Sequence, residues 1–149
     1  MAARLLTTGE KAEARRVFGA ALNLDRVRVH DRPCVFFQPK GVAMTPRGHV
    51  HFHARDCRPD FACGPAPMSW LIHELVHVWQ HQTGQWVLLR GAIERRYDYG
   101  RLTMASRFAD YGIEQQAGIV EDYYRQRVGL QPRHGEGAMA AYERLVPRK

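Results

Sequence analysis

The sequence has little that would tie it to a membrane, a disulfide scaffold or a nucleic acid. No apolar run approaches the roughly 18 residues that cross a bilayer. The opening MAARLLTTGEKAEARR lacks the apolar stretch and cleavage site of a secretory signal. The reading is a chain made in the cytoplasm, with no membrane span, that needs another route to act elsewhere. Three cysteines in 149 residues are too few for a disulfide framework. Cys57 and Cys63 flank the short loop RPDFA but do not form a CxxC pair, so free thiols are expected and a thiolate metal site is not. The formal charge is +7, yet Lys and Arg are scattered and no block of like charges marks a nucleic-acid arm. No specific nucleic-acid partner is expected, and attraction to anionic surfaces would be unspecific. Repeats, low-complexity runs and long linkers are missing too, which leaves one domain over 1–149.

What is there is a change of pattern along the chain. Residues 7–22, TTGEKAEARRVFGAAL, read as a helix capped by Thr8 with Val17, Phe18 and Leu22 inward. DRVRVHD and CVFFQPKGVAMT follow with strand-like patterns, broken by Pro33, Pro39 and Gly41. HVHFHAR at 49–55 alternates, with Val50 and Phe52 on one face and His49, His51 and His53 on the solvent face. These segments predict a small antiparallel sheet with one solvated side. After GPAP the pattern turns helical. One helix runs from a cap at Ser69 to a stop at Gly84, a second covers about 86–96, and a third covers 113–129. Helix, strands, then more helices is an α+β order.

The helix from Ser69 carries His73-Glu74-Leu75-Val76-His77, an HExxH spacing. Residues four apart share one helix face, so His73 and His77 can hold one metal ion while Glu74 sits beside it. Zinc takes such neutral nitrogens, leaves one position open for water, and lowers the pKa of that water so that a carboxylate can take its proton. The bland alternative is a helix with surface histidines. Against it, Trp70, Leu71, Ile72, Leu75, Val76, Val78 and Trp79 make the helix apolar almost all round, and a buried His-Glu-His set needs partners. His81, one turn further along, reads as a residue near the site or at the surface rather than a ligand.

The third ligand is open between two residues. The metzincin continuation fails because Gln80 and Thr83 stand where glycine and histidine would be, and a thermolysin-like spacing fails at Tyr97. Glu114 opens the 113–129 helix, with small Ala117 and Gly118 on its face and Glu121 one layer behind, able to orient a histidine. Asp98, in YDYG, is the rival. Tyr99 and Tyr97 are candidates to hydrogen-bond the oxyanion that forms when water attacks a carbonyl. The edge of the HVHFHA strand is a candidate for pairing with a peptide substrate.

HELVHVWQHQTG followed by YGIEQQAGIVEDYY resembles a group of small bacterial zinc-metallopeptidase-like domains, the Vgr-related proteins. These are similar to the peptidase domains at the C-termini of type VI secretion spike proteins. LTTGEKAEARRVFGAALNLDRVRVHD and GHVHFHARD extend the resemblance over most of the chain. It implies a zincin-like α+β fold, with His73, His77 and Glu114 as zinc ligands and Glu74 as general base. In that group an acidic residue often follows the third ligand by four positions. Gly118 stands there in this chain, which passes that role to Glu121 or Asp122. The resemblance also implies a protein or peptide substrate, a secretion-spike partner, an immunity protein, and delivery into a rival cell's periplasm as an antibacterial effector. A non-catalytic zincin-fold adaptor of a secretion or contractile particle is the alternative.

Overall fold

A computed structural model describes residues 3–36, 38–85 and 96–148. The helix expected over about 86–96 therefore lies almost wholly outside the described residues. The elements in chain order are β1 (Ala3–Leu5), α1 (Thr8–Phe18), β2 (Arg28–His30), β3 (Val50–His51), α2 (Pro65–Gln82), β4 (Gly100–Arg101), α3 (Ile113–Arg127), β5 (Gly135–Glu136) and α4 (Met139–Leu145). The order is α+β, with four helices and two small sheets among the described residues. No helix among them is long and apolar enough to cross a membrane.

Helix α1 starts one residue differently from expectation. Thr7, not Thr8, is the cap, because Glu10 stands three residues after it and closes the reciprocal pair: Glu10 N–H donates to Thr7 Oγ1 at 3.0 Å, and Thr7 N–H donates to Glu10 Oε2 at 2.8 Å. Lys11, three after Thr8, could not return that bond. Helix α2 begins at Pro65 rather than after Ser69. The prolines of GPAP read as a break, but they sit in the first turn, where backbone N–H groups have no helical acceptor to lose. Helix α2 stops at Gln82, with Gly84 in the left-handed region at φ 88°.

The sheet is mixed, which corrects the antiparallel expectation. Its order is β1-β2-β3; β1 pairs β2 antiparallel, but β2 pairs β3 in parallel through Val29↔Val50 and His30↔His51. Direction is set by the connection from 31 to 49, which crosses over before β3 begins. The strand expected from CVFFQPKGVAMT reduces to one antiparallel bridge between Met44 and His51. In its place Gln38 ties the loop together, donating to Val42 O at 2.8 Å and His51 O at 2.9 Å. The three histidines of 49–55 are half-buried rather than freely solvated. His51 stacks on His30 at 4.2 Å, and His49 Nδ1 accepts from Arg28 N–H at 3.2 Å. Cys34, Cys57 and Cys63 are free thiols.

The core centres on α2, where Leu71, Ile72, Leu75, Val76 and Val78 are all fully buried. Helix α3 packs along it, burying Ala117, Ile119 and Val120. Phe52 stacks on Phe61 at 4.5 Å and meets Trp70 edge-on at 5.0 Å, joining the sheet to the start of α2. Gly118 leaves room for two close neighbours. A Cβ there would lie 3.2 Å from the Tyr97 carbonyl and 3.3 Å from His134, not against α2.

Two buried carboxylates act as fasteners. Glu10, with no exposure, takes both arms of Arg4 at 2.8 and 2.9 Å and the Phe61 N–H at 2.8 Å, so β1, α1 and the turn before α2 share one group. Asp122 on α3 accepts the Tyr99 hydroxyl at 2.6 Å and the N–H groups of Arg133 and His134 at 2.7 and 2.8 Å. The Tyr142 hydroxyl of α4 lies 2.6 Å from that of Tyr99. Burial first, then Asp122 and Tyr142, push the Tyr99 phenol far above its usual value.

Glu10→Gln should lower stability by roughly 2–4 kcal/mol, because it leaves the Arg4 guanidinium without its countercharge; thermal unfolding should show a clear fall in Tm. For Tyr99, the folded pKa is raised, so its contribution is complete below the unfolded value of about 10 and is lost as pH rises beyond it. Denaturant unfolding should therefore weaken above pH of about 10. Tyr99→Phe should cost about 1–2 kcal/mol at neutral pH and make the alkaline loss shallower.

Candidate metal centre

Helix α2 brings His73, Glu74 and His77 to the side where α3 docks, and all three are buried. The imidazole rings are 5.3 Å apart, as the i, i+4 spacing requires. Glu114, in the first turn of α3, reaches across. Its Oε1 lies 3.2 Å from His73 Nε2 and 3.0 Å from His77 Nε2, so one carboxylate oxygen meets both nitrogens. Ligands placed about 2.0–2.1 Å from a tetrahedral ion are separated by roughly 3.3 Å. The donor set therefore has the types and spacing that zinc takes. Donor atoms of His73, Glu74 and His77 also lie within 4.8 Å of one another.

The far side of each imidazole decides which nitrogen is presented. His73 Nδ1 lies 2.8 Å from Glu121 Oε1, and His77 Nδ1 lies 2.8 Å from Gln80 Oε1. Both partners accept, so each Nδ1 carries a proton, and each Nε2 is the nitrogen that faces Glu114. These partners are themselves held. Gln80 Nε2 donates to Ile113 O at 3.0 Å and Gln116 Oε1 at 2.9 Å, while His134 Nε2 lies 3.0 Å from Glu121 Oε1. Burial alone would lower both metal-facing histidines. The carboxylates around them outweigh it, so His77 is raised and His73 is raised well above its ordinary value. Glu114 is correspondingly held far below the usual carboxylate range against its own burial.

Glu74 is different from the other carboxylates. Burial is the largest influence on it and raises its pKa, although His73 and His77 pull the other way. Its Oε1 accepts from the Thr45 hydroxyl at 2.9 Å. The result is a carboxylate beside the donor set that is fixed in place and more basic than an exposed one.

Tyr99 is not where the oxyanion role needs it. Its hydroxyl is spent on Asp122 and Tyr142, because a buried phenol takes the nearest strong acceptor. Tyr97 lies beside the site instead, with its ring 6.0 Å from that of His73 and 5.9 Å from that of His134. The Asp98 carboxylate is exposed and caps Gly100 N–H at 2.8 Å. His81 is exposed at the end of α2, against Gly48. Of the two residues proposed to orient a histidine, Glu121 contacts His73, whereas Asp122 serves the Tyr99 network. The free strand edge expected at 49–55 is occupied at His51, whose N–H and C=O both pair with Met44.

Three contributors went unseen in the sequence. Gln80 stands three residues after His77, a helical-neighbour spacing that could have marked it. Thr45 and His134 come from loops and carry no local signal.

No protein-family model matches the chain. The type VI secretion system spike protein VgrG2b of Pseudomonas aeruginosa is 38% identical over 137 aligned residues, which cover 85% of this chain. The chain spans only 13% of that relative's length. The solved effector domain of Pseudomonas aeruginosa VgrG2b superposes with a TM-score of 0.80 at 33% identity, covering 96% of this chain and 81% of that domain. With most of both sequences aligned and the same architecture shared, this chain belongs to the family of the VgrG2b effector domain.

Proposed function

We propose that the chain is a zinc-dependent peptidase domain that acts as a type VI secretion effector, with His73, His77 and Glu114 holding the metal. The observation that carries this reading is the meeting of two buried imidazole nitrogens and one carboxylate oxygen at 3.0–3.2 Å beside a second, more basic carboxylate. A structural zinc site would be closed by four protein ligands; here Glu74 is left beside the three as a base. Zinc, when bound, supplies Lewis acidity to a water molecule and to the substrate carbonyl.

The remaining chemistry belongs to the chain's own residues. Glu74, buried beside the donor set, takes a proton from the attacking water. Thr45 keeps the carboxylate aimed by donating to one oxygen, leaving the other free to receive the proton. Glu74 then returns that proton to the departing amine. Glu121 and Gln80 hold the imidazoles in the tautomer that binds metal.

Kinship to the effector domain of a secretion spike supports delivery by a secretion machine. A spike partner in the producing cell, an immunity protein that guards it, and a peptide substrate in the target's periplasm complete the proposal.

Purified protein should contain one zinc per chain by elemental analysis, and Glu114→Ala should bind it far more weakly. Glu121→Gln and Gln80→Ala should each lower zinc affinity roughly 10–100-fold while leaving the ligands in place. Glu74→Gln should keep zinc but lose cleavage of a peptide library by about 10²-fold or more. Full cleavage in that variant would remove Glu74 as the base. Absence of zinc after reconstitution would leave the non-catalytic adaptor as the better account.

A further inference from the structure

Beyond the metal site, α2 carries on for one more turn and forms one wall of a cleft of about 440 Å³. Arg26, Arg47, His49 and His81 line it, together with the Asn23–Gln82 pair, and among the described residues no carboxylate does. Asn23 and Gln82 are bonded to each other, the Asn23 N–H donating to Gln82 Oε1 at 2.8 Å, and so form a fixed neutral end. The nearest carboxylate in sequence, Asp25, is taken by Lys11 at 2.7 Å.

The cleft is built rather than accidental. Gly48 sits in the left-handed region at φ 78°, and a Cβ there would fall 2.7 Å from His81 Cδ2. That left-handed backbone, which side chains rarely adopt, is what calls for glycine in the 46–49 turn. His49 is lowered by burial first and then by the positive charge of His30, Arg28, His81 and Arg26. The end of α2 offers partly negative carbonyls, but His81 alone meets that need. Arg26 and Arg47 come from two other segments, and the dipole does not explain why both face the same space.

Both walls continue the elements of the metal site. His81 is one turn past His77, about 6 Å along the helix. Arg47 follows by two residues the threonine that holds Glu74. An extended peptide advances about 3.3 Å per residue, so a side chain about two residues from the bond to be cut would reach the cleft.

We propose that this cleft is a specificity subsite for a carboxylate on the substrate chain, with Arg26 and Arg47 as its charged donors and His49 and His81 as its imidazole donors. The assignment rests on the peptidase reading for its place in the reaction, though the binding itself does not. The subsite favours peptides with an acidic residue about two positions from the scissile bond over their amide counterparts.

The test uses capped, fluorescein-labelled alanine-based hexapeptides carrying a single Glu or a single Gln at that distance from the centre. Binding is measured by anisotropy to the full chain bearing Glu74→Gln, and cleavage is measured with the unaltered protein. Glu peptides should bind about tenfold more tightly than Gln peptides, and the difference should appear in KM rather than kcat. Arg26→Gln with Arg47→Gln should abolish it, while Arg15→Gln with Arg55→Gln, an equal loss of charge on exposed positions elsewhere, should preserve it. Unchanged zinc content and Tm in both pairs would show that the fold is intact. Equal loss in the two pairs would mean attraction to the net charge alone and would overturn the subsite. Cleavage with no preference for Glu over Gln would overturn it as well, leaving the peptidase intact. Glu-selective binding that depends on Arg26 and Arg47, without any cleavage, would keep the subsite and count against the peptidase reading.

Discussion

The contact on which the arrangement turns is one carboxylate oxygen, Glu114 Oε1, between two buried imidazoles. Ionisable groups removed from water cost several kcal/mol each unless they are paired and hydrogen-bonded. Helix α2 commits three such groups at once, on a helix too apolar to expose them. The docking of α3 follows from that commitment. Its first turn delivers Glu114, its third delivers Glu121, and the apolar residues between them complete the core. The outward chain of support then ends on backbone, through Gln80 to the Ile113 carbonyl and through Gln116 to that of Phe108. A metal ion at this point would share the pairing among three ligands and leave Glu74 beside them.

Neighbouring residues on α3 divide the labour. Glu121 and Asp122 are turned about 100° apart around the helix. Glu121 faces the cluster of His73, His77 and Glu114 and clamps His73. Asp122 faces the 133–134 loop, and by accepting the His134 N–H it sets the position from which that imidazole reaches Glu121. The orientation of His73 thus depends on a loop beyond the end of α3. Glu10 does the equivalent at the other end of α2, fixing the turn at Phe61 from which the helix starts. Both fasteners are buried carboxylates that bind backbone N–H groups, one in the turn before α2 and the other in the loop after α3.

What the sequence made legible was what repeats with a short period. The faces of α1, α2 and α3, the HExxH spacing, Glu114 at a helix start and Glu121 one layer behind all follow from 3.6-residue geometry. What it hid was set by partners distant along the chain. Pro65 and Pro67 look like breakers until one knows that they occupy a first turn. Val29 and Val50 have the same strand character in either direction, and only the intervening crossover makes them parallel. Tyr97 and Tyr99 are indistinguishable as text. The second is lost to the site because Asp122, 23 residues on, takes its hydroxyl. Thr45 and His134 could not be found by pattern, since each reaches its carboxylate from an irregular loop.

Charge was the least legible property of all. The +7 of the chain is scattered along the sequence and reads as unspecific. Folding gathers part of it, bringing Arg26 from the turn after α1 and Arg47 from the turn before β3 to opposite His81. Like charges are normally spaced apart, because each repels the other and neither gains from proximity in the free protein. A fold that brings two guanidinium groups to one cleft, with no carboxylate lining it among the described residues, accepts that repulsion. The energy stays available to an anion arriving from outside. On the proposed reading the cleft lies about two turns beyond Glu74 on α2, the anion is the substrate's own, and recognition and chemistry share a single helix.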